Sequence, residues 1–282
     1  MNDRGAGSDS IAIAVAQFAP GTDKAKNLES IRDLATVAAA RGARLVVFPE
    51  YSSFFTPELG EHSVAAAEPL DGHFVAGLEA IAKVLGIHIV AGMLESTEDE
   101  ERCSNTLVAL DPTGGRVAKY RKIHLYDAFG QRESDWVVSG PIEAPETFRL
   151  GEFTVGLQTC FDIRFPEMTR RIVDAGADLV VLPSEWVRGP IKEQHWRTLV
   201  TARAIENTVY FAAADQAPPT GAGNSMVVDP MGVELATIGE ETGVALAWIS
   251  MKRISEVRAI NPTLGLRRFD VHPLQPTIPA GS

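Results

Sequence analysis

Three residues of this chain have side chains suited to acyl transfer, and each follows directly on a strand-like run. The apolar run 45–48 (LVVF) ends at Pro49 and Glu50, the run 116–121 (RVAKYR) leads into Lys122, and 153–159 (FTVGLQT) delivers Cys160 inside the stretch LQTCFDIRFPE. A thiolate is the reactive form of cysteine, and a carboxylate within hydrogen-bond reach can take the thiol proton. A lysine ammonium can stabilise both the thiolate and the oxyanion of a tetrahedral intermediate. Taken singly, each residue has a duller reading: most free cysteines are small buried hydrophobes, and a Glu or Lys after a strand is usually solvated. The functional reading needs all three at one rim, where α/β proteins place their chemistry. Pro49 helps by biasing Phe48 to extended geometry and carrying Glu50 out of its strand.

The elements that must position these groups are readable from periodicity, which switches repeatedly between two and about 3.6 residues and so marks a mixed α/β fold. Strands are expected at 11–17, 45–48, 88–94, 106–110, 116–121, 179–182, 209–215, 225–228, 233–238 and 243–250, with a hairpin over 147–159. Helices are expected at 23–41, with Gly42 placed to terminate it, at 72–85, after Pro166, at 192–207 and from near Lys252. This grammar suggests two packed sheets, each faced by helices, in a single domain over 1–260. The Pro-rich segment 261–282 reads as a tail that can pack on a partner subunit or stay disordered.

Composition narrows the classes. Lys plus Arg number 26 against 37 Asp plus Glu, a net charge of −11 with no basic run, which argues against nucleic-acid or anionic-membrane partners. The start is polar and Gly/Ser-rich, and no apolar stretch is long enough to span a bilayer. Two cysteines, Cys103 and Cys160, are too few for a disulfide framework and fit a reducing cytoplasm. The six histidines show no metal-ligand spacing and no Gly-rich phosphate loop is present, so neither metal nor cofactor is expected.

The segments LVVFPEY (45–51), YRKIHLYD (120–127), CFDIRFPE (160–167) and ARAIENTVYFAAADQ (202–216) resemble, in order and spacing, those of the nitrilase or carbon–nitrogen hydrolase superfamily. The resemblance runs from about residue 11 to about 258. It implies an α-β-β-α sandwich of four layers, usually paired into dimers or larger assemblies. Residue by residue it implies Glu50 as general base, Lys122 as stabiliser of thiolate and oxyanion, Cys160 as nucleophile and the backbone N–H of Phe161 as second oxyanion donor. Glu133, in GQRES, is the candidate for the further glutamate that family members often carry.

The substrate is less legible. Nitrile-cleaving members tend to follow the cysteine with Trp-Glu, whereas Cys160-Phe161-Asp162 looks like the amidase branches. The resemblance is closest to amidases acting on ω-amides of small carboxylic acids, such as 2-oxoglutaramate or deaminated glutathione. Hydrolysis of carbamoyl compounds or nitriles is an open alternative, and a non-catalytic scaffold on the same fold is a reading from another class. Arg188 and Lys192, past the strand 179–182, could grip a substrate carboxylate or be ordinary surface charge. Asp162 and Arg164 are expected to brace the cysteine turn by hydrogen bonds and an ion pair, His124 to be packed or solvent-bonded, and Cys103 to be structural.

Overall fold

The computed structural model describes residues 10–274. The first part of the chain supplies β1 (Ser10–Gln17), α1 (Lys24–Ala40), β2 (Ala43–Val47), α2 (Glu61–Ala65), α3 (His73–Leu85), β3 (His88–Glu95), β4 (Ser104–Leu110) and β5 (Arg116–Arg121). The second supplies β6 (Thr147–Leu150), β7 (Phe153–Leu157), α4 (Pro166–Asp174), β8 (Leu179–Ser184), α5 (Lys192–Asn207), β9 (Tyr210–Asp215), β10 (Met226–Val228), β11 (Glu234–Thr237), β12 (Gly243–Ser250) and α6 (Met251–Ile260). The local signals work as the residues dictate. Asp23 accepts from the N–H groups of Ala25 and Lys26 to cap α1, and Gly42 takes φ +89° just past its end.

Two six-stranded sheets result, ordered β12-β1-β2-β3-β4-β5 and β11-β10-β9-β8-β7-β6. Between them lies one core, with Ile13, Val15, Leu45, Val47 and Val90 facing Val155, Leu157, Leu179, Val181 and Ala212. The opposite face of the first sheet (Ala14, Val46, Ile89) packs on Ile31, Ala35, Phe74 and Leu78 of α1 and α3. That of the second (Val180, Leu182, Phe211) packs on Ile172, Trp196 and Val200 of α4 and α5. This is the expected α-β-β-α sandwich. Central strands are buried on both faces, whereas edge strand β12 alternates, Ala245, Ala247 and Ile249 inward and Trp248 half out. Burying one Val or Leu contributes on the order of 1.5–3 kcal/mol, against about 1 for a helix N-cap, so the sheet faces rather than the caps hold the rim.

Strand direction decides whether the three strand ends can meet. β1, β2 and β3 run parallel, and two antiparallel steps, β3 to β4 to β5, return β5 to the direction of β2. β7, β8 and β9 are likewise parallel. Their carboxyl ends form one rim.

Several short elements carry no readable period: α2, and 3-10 turns at Glu133–Asp135, Cys160–Arg164 and Thr263–Leu266. Part of the tail segment, 275–282, lies outside the described residues. Within them, Leu264 packs against the α4/α5 core and Arg267 pairs with Asp174 at 2.7 Å.

Candidate active site

Glu50 sits where the chain leaves β2 and folds back over β3. Phe48 N–H donates to Val90 O (2.8 Å), Gly92 N–H to Pro49 O (3.2 Å) and Ser53 N–H to Gly92 O (3.3 Å), so the turn is stitched to its neighbour strand. The approach is close enough to require glycine: a Cβ on Gly92 would fall 2.8 Å from the Glu50 Cα and 2.8 Å from the Tyr51 nitrogen. The Glu50 carboxylate, buried, accepts from Asn105 Nδ2 (2.6 Å), Lys122 Nζ (2.9 Å) and the N–H of Glu185 (2.7 Å). The last bond joins the two sheets.

Lys122 follows β5 with both its peptide groups pinned, its N–H on Asn105 O (2.9 Å) and its carbonyl accepting from Gly140 (2.8 Å). Its ammonium lies between Glu50 and Glu133, whose Oε2 is 2.8 Å away. Glu133 also accepts from Tyr51 Oη (2.5 Å), Asn105 Nδ2 (3.0 Å) and Tyr126 N–H (2.6 Å). Glu133 therefore does stand beside the Lys122 ammonium.

Cys160 opens a 3-10 turn just beyond β7 with φ +43°, left-handed and non-glycine, as is Tyr51 at φ +55°. Each such residue costs roughly 1–3 kcal/mol unless its surroundings over-determine it. For Cys160 the determinant is Asp162, whose buried carboxylate accepts from Thr159 N–H (2.9 Å), Tyr120 Oη (2.7 Å) and His124 N–H (3.2 Å), with His124 Nδ1 at 2.8 Å. His124 stacks on Phe165 with ring centroids 3.8 Å apart. Asp162 thus braces the turn as expected, but its partners are not Arg164. A turn of three residues sets i and i+2 on different faces, and the Arg164 guanidinium lies over Trp186 (4.8 Å), Phe129 (5.5 Å) and Phe161 (5.9 Å) instead.

Glu50, Lys122, Glu133 and Cys160 line one cavity of about 420 Å³ together with Tyr51, Tyr126 and Glu185. The Cys160 sulfur is 3.4 Å from Glu185 O. Beside the cavity, the Lys192 ammonium approaches Tyr126 Oη (3.2 Å) and the faces of Phe129 (4.6 Å) and Trp186 (4.9 Å). Among the described residues neither Lys192 nor Arg164 has a carboxylate partner, and Arg164 Nε and Nη2 are buried without a hydrogen bond. Arg188 is not brought there. It is held outside by Glu240 (2.8 Å) and Glu193 (3.9 Å), which neutralise it on the surface.

The electrostatics divide the groups by role. Burial works against every charge here. Against that penalty, Lys122 and its hydrogen bonds keep Glu133 below the ordinary carboxylate range, while burial, aided by Glu133, pushes Glu50 above it. Lys122 is desolvated too, yet Glu133, Glu50 and Cys160 hold its pKa well above the usual lysine value. Burial and then Glu50 push the Cys160 thiol well up, with Lys122 opposing them. Burial thus favours the thiol form of Cys160 and raises the proton affinity of the Glu50 carboxylate in the same cavity. Cys103, pushed up to about 12 by burial and also by Glu133, is not among the residues lining the cavity.

Asn105, Tyr51, Tyr126, Glu185 and Arg164 escaped the sequence reading as site groups. Glu185 directly follows the end of β8, so the strand-end logic that picked out Glu50 and Cys160 points to it equally.

The arrangement places a thiol, an ammonium and two carboxylates at one cavity on two helix-faced sheets. The sequence matches the carbon-nitrogen hydrolase family over residues 12–259, and the chain belongs to that family. It is 38% identical over 263 residues to the deaminated glutathione amidase of Escherichia coli O157:H7, covering 91% of this chain and 97% of that one. With the deaminated glutathione amidase of Homo sapiens it shares 34% identity over 277 residues, 92% of this chain and 83% of the relative. Among solved structures, an amidase of the nitrilase superfamily from Nesterenkonia AN1 superposes with TM-score 0.76 at 27% identity, over 93% of this chain and 99% of that one. The C. elegans NitFhit protein superposes with TM-score 0.84 at 28% identity, over 93% of this chain but 66% of that chain. The protein is an enzyme, a carbon–nitrogen hydrolase of the amidase type.

Proposed function

We propose that the enzyme hydrolyses the terminal amide of a small acid through a thioester on Cys160, and that the far end of its substrate is a carboxylate. Glu50 takes the Cys160 proton as sulfur attacks the amide carbon. The carbonyl oxygen becomes an oxyanion held by the Lys122 ammonium and the Phe161 N–H, and Glu133 fixes that ammonium in place. When the intermediate collapses, the C–N bond breaks and Glu50 returns the proton to the departing ammonia. Water, activated by Glu50, then attacks the thioester; the C–S bond breaks and the proton goes back to sulfur. The observation that carries the reading is the Lys122 ammonium clamped between two carboxylates in the same cavity as the Cys160 sulfur.

The carboxylate is supported by Lys192 and Arg164, two cations beside that cavity without a salt-bridge partner among the described residues, since a desolvated charge needs a partner. Relatives named deaminated glutathione amidase agree with such a substrate. A Nesterenkonia AN1 amidase mutant, 27% identical with TM-score 0.75, carries the acetamide moiety of fluoroacetamide covalently on its active-site cysteine, which supports the thiol route. An ammonia-release screen over ω-amides of oxo acids, carbamoyl compounds, aliphatic amides and nitriles tests the substrate. Intact-mass spectra under a slow substrate test the route, and turnover with no acyl adduct at Cys160 would count against it.

We further infer one catalytic unit over 1–260, working in the cytoplasm as at least a homodimer, with α4 and the segment after 260 at the contact. Leu266 and Phe269 support the contact, being 70% and 88% exposed. A monomer mass by light scattering at micromolar concentration would contradict it.

A further inference from the structure

β4 lies between β3 and β5 and is buried along its whole length, and one of its residues is Asn105. That side chain is buried and is not among the residues lining the cavity. Its one nitrogen, Nδ2, reaches both acids of the site, Glu50 Oε1 at 2.6 Å and Glu133 Oε1 at 3.0 Å. Its oxygen, Oδ1, is buried without a partner. Turned over, the amide would set an acceptor against two carboxylates, so the orphaned oxygen follows from keeping both amide hydrogens on the acids.

A count of acceptor sites shows what those hydrogens do. A carboxylate has about four lone-pair sites, two on each oxygen. Glu133 Oε1 receives Tyr51 Oη, Asn105 Nδ2 and Lys122 Nζ, and its Oε2 receives Lys122 Nζ and the Tyr126 N–H. No site there is left for an incoming proton. Glu50 Oε1 receives Asn105 Nδ2 and Lys122 Nζ, but Oε2 receives the Glu185 N–H alone. One site stays open, and it is on Oε2. Glu185, which donates to that oxygen, turns its carbonyl to the Cys160 sulfur at 3.4 Å. Oε2 and the sulfur thus stand at the two ends of one residue's backbone.

We propose that Asn105 is a positioning residue for the hydrolysis argued above: by filling Oε1 of Glu50, and helping to fill Glu133, it makes Oε2 of Glu50 the atom that takes the Cys160 proton. As the S–C bond forms on the amide carbon, the S–H bond breaks and its proton passes to Oε2; Asn105 keeps both its hydrogens throughout. The inference rests on the reading of Glu50 as general base, and adds which oxygen works and what selects it.

The arrangement has a pH signature. The charged and titratable groups around Glu50 are Lys122 after β5, Glu133 in its 3-10 turn, Tyr51 next in the chain, Cys160 after β7, Glu185 after β8 and Asp215 ending β9. Burial raises the Glu50 carboxyl above its ordinary value, Lys122 opposes the rise, Glu133 adds to it, and the Asn105 hydrogen bond works with Lys122. Taking a donor away from an ionised carboxylate disfavours that form, so losing Asn105 moves the Glu50 pKa further up. The acid limb of kcat/KM, which reports the base of the free enzyme, moves to higher pH with it.

The test is steady-state ammonia release from the monoamide of glutaric acid across pH, for wild type, Asn105→Ala, Asn105→Leu and Glu50→Gln, with Tm measured for each. Both Asn105 variants should lower kcat about 10–100-fold with KM little changed, as a misplaced catalytic group does. Both should move the acid limb up by about one pH unit, as expected for one lost hydrogen bond to a charged group. Asn105→Leu keeps the bulk of the side chain and so separates donation from packing: it should match Asn105→Ala in kcat and pH profile even where alanine lowers Tm further. Wild-type kcat and acid limb in Asn105→Leu would overturn the proposal, because bulk alone would then suffice. So would a fall in kcat in both variants with the acid limb at its wild-type pH, the mark of a merely structural role. Wild-type turnover in Glu50→Gln, or no ammonia release from any amide by wild type, would instead remove the underlying reading, and this inference with it.

Discussion

The cavity wall around Lys122 and the cation cluster beside the cavity are built on opposite principles. In the first, Lys122, Glu50 and Glu133 bond to one another and to Asn105, Tyr51, Tyr126 and Glu185, so that both carboxylates have every oxygen engaged. In the second, Arg164 and Lys192 stand over aromatic faces with no carboxylate among the described residues, and Arg164 and Glu185 keep buried polar atoms without partners. Carboxylates so engaged, with Asn105 Oδ1 the buried atom of that cluster left without a partner, are rigid and preorganised for developing charge. An unsatisfied cluster is paid for elsewhere in the fold and satisfied only by a ligand. The contrast separates machinery from recognition, and it can be broken from either side.

The largest effects belong to the saturated side. Cys160→Ala should abolish turnover while leaving the fold intact, because one small side chain is lost at a cavity wall. Lys122→Met should lose at least on the order of 10²–10³ in kcat, the usual cost of one oxyanion donor. It should also lose stability, about 3–5 kcal/mol, because two buried carboxylates are left without their cation. Alkylation of Cys160 should slow as well, since Lys122 opposes the rise of its thiol pKa. A Lys122→Met enzyme with wild-type alkylation and turnover would mean that the ammonium does not work the thiol. Glu50→Gln should be comparably inactive but better folded, because an amide can keep the bond from Glu185 N–H.

Gly92 tests rigidity from behind. It touches no substrate, yet a Cβ there must displace the Glu50 backbone. Gly92→Ala should lower kcat by roughly a hundredfold, in line with the effect of a 1 Å misplacement of a catalytic group, with KM moving little. The measurement is a steady-state comparison alongside Gly92→Ser, and unchanged kcat in both would show that the turn yields freely.

The open side should answer differently. Lys192→Met and Arg164→Leu should each raise KM for a carboxylate-bearing amide by about 10–100-fold, equivalent to about 1.5–3 kcal/mol for a charged hydrogen bond. Neither should reduce Tm, since no ion pair within the chain is broken. An uncharged amide of the same length should be nearly indifferent to both. If Tm fell as far as in Lys122→Met, the distinction between the two sides would be lost.

How far this was readable without coordinates follows the same division. Glu50, Lys122 and Cys160 were legible because each ends a strand whose direction the α/β grammar constrains, and the sheets formed as that grammar requires. Lys192 was legible as a charge, but choosing it over Arg188 needed the positions of Glu240 and Trp186, which lie far from it along the chain or behind a loop. Arg164 was misjudged because adjacency to Asp162 suggested an ion pair, whereas Asp162 is taken up by Tyr120, Thr159 and His124. Asn105 reads as one polar residue in an apolar strand until β4 is seen to lie beside both glutamates. Such meetings are long-range, and periodicity carries no information about them.

Asp215 gives the smallest effect and a probe of stability alone. It ends β9 fully buried, its Oδ1 accepting from Trp186 N–H (2.7 Å) and its Oδ2 without a partner. Burial pushes its carboxyl well above the ordinary range despite that bond. A group whose folded pKa is raised binds its proton in the native state where the unfolded chain has already released it. Stability is therefore fullest below the unfolded value, falls as pH rises toward the folded one, and levels off beyond it. The slope from one such group cannot exceed about 1.4 kcal/mol per pH unit, and Glu185 adds to it with the same sign. Asp215→Asn can keep the Trp186 bond and cannot ionise. Urea midpoints from mildly acidic to alkaline pH should therefore fall less steeply in the variant, which gains on wild type as pH rises. Parallel slopes would show that Asp215 is ionised in the folded protein already, and that the strand-end acids are not held neutral by burial.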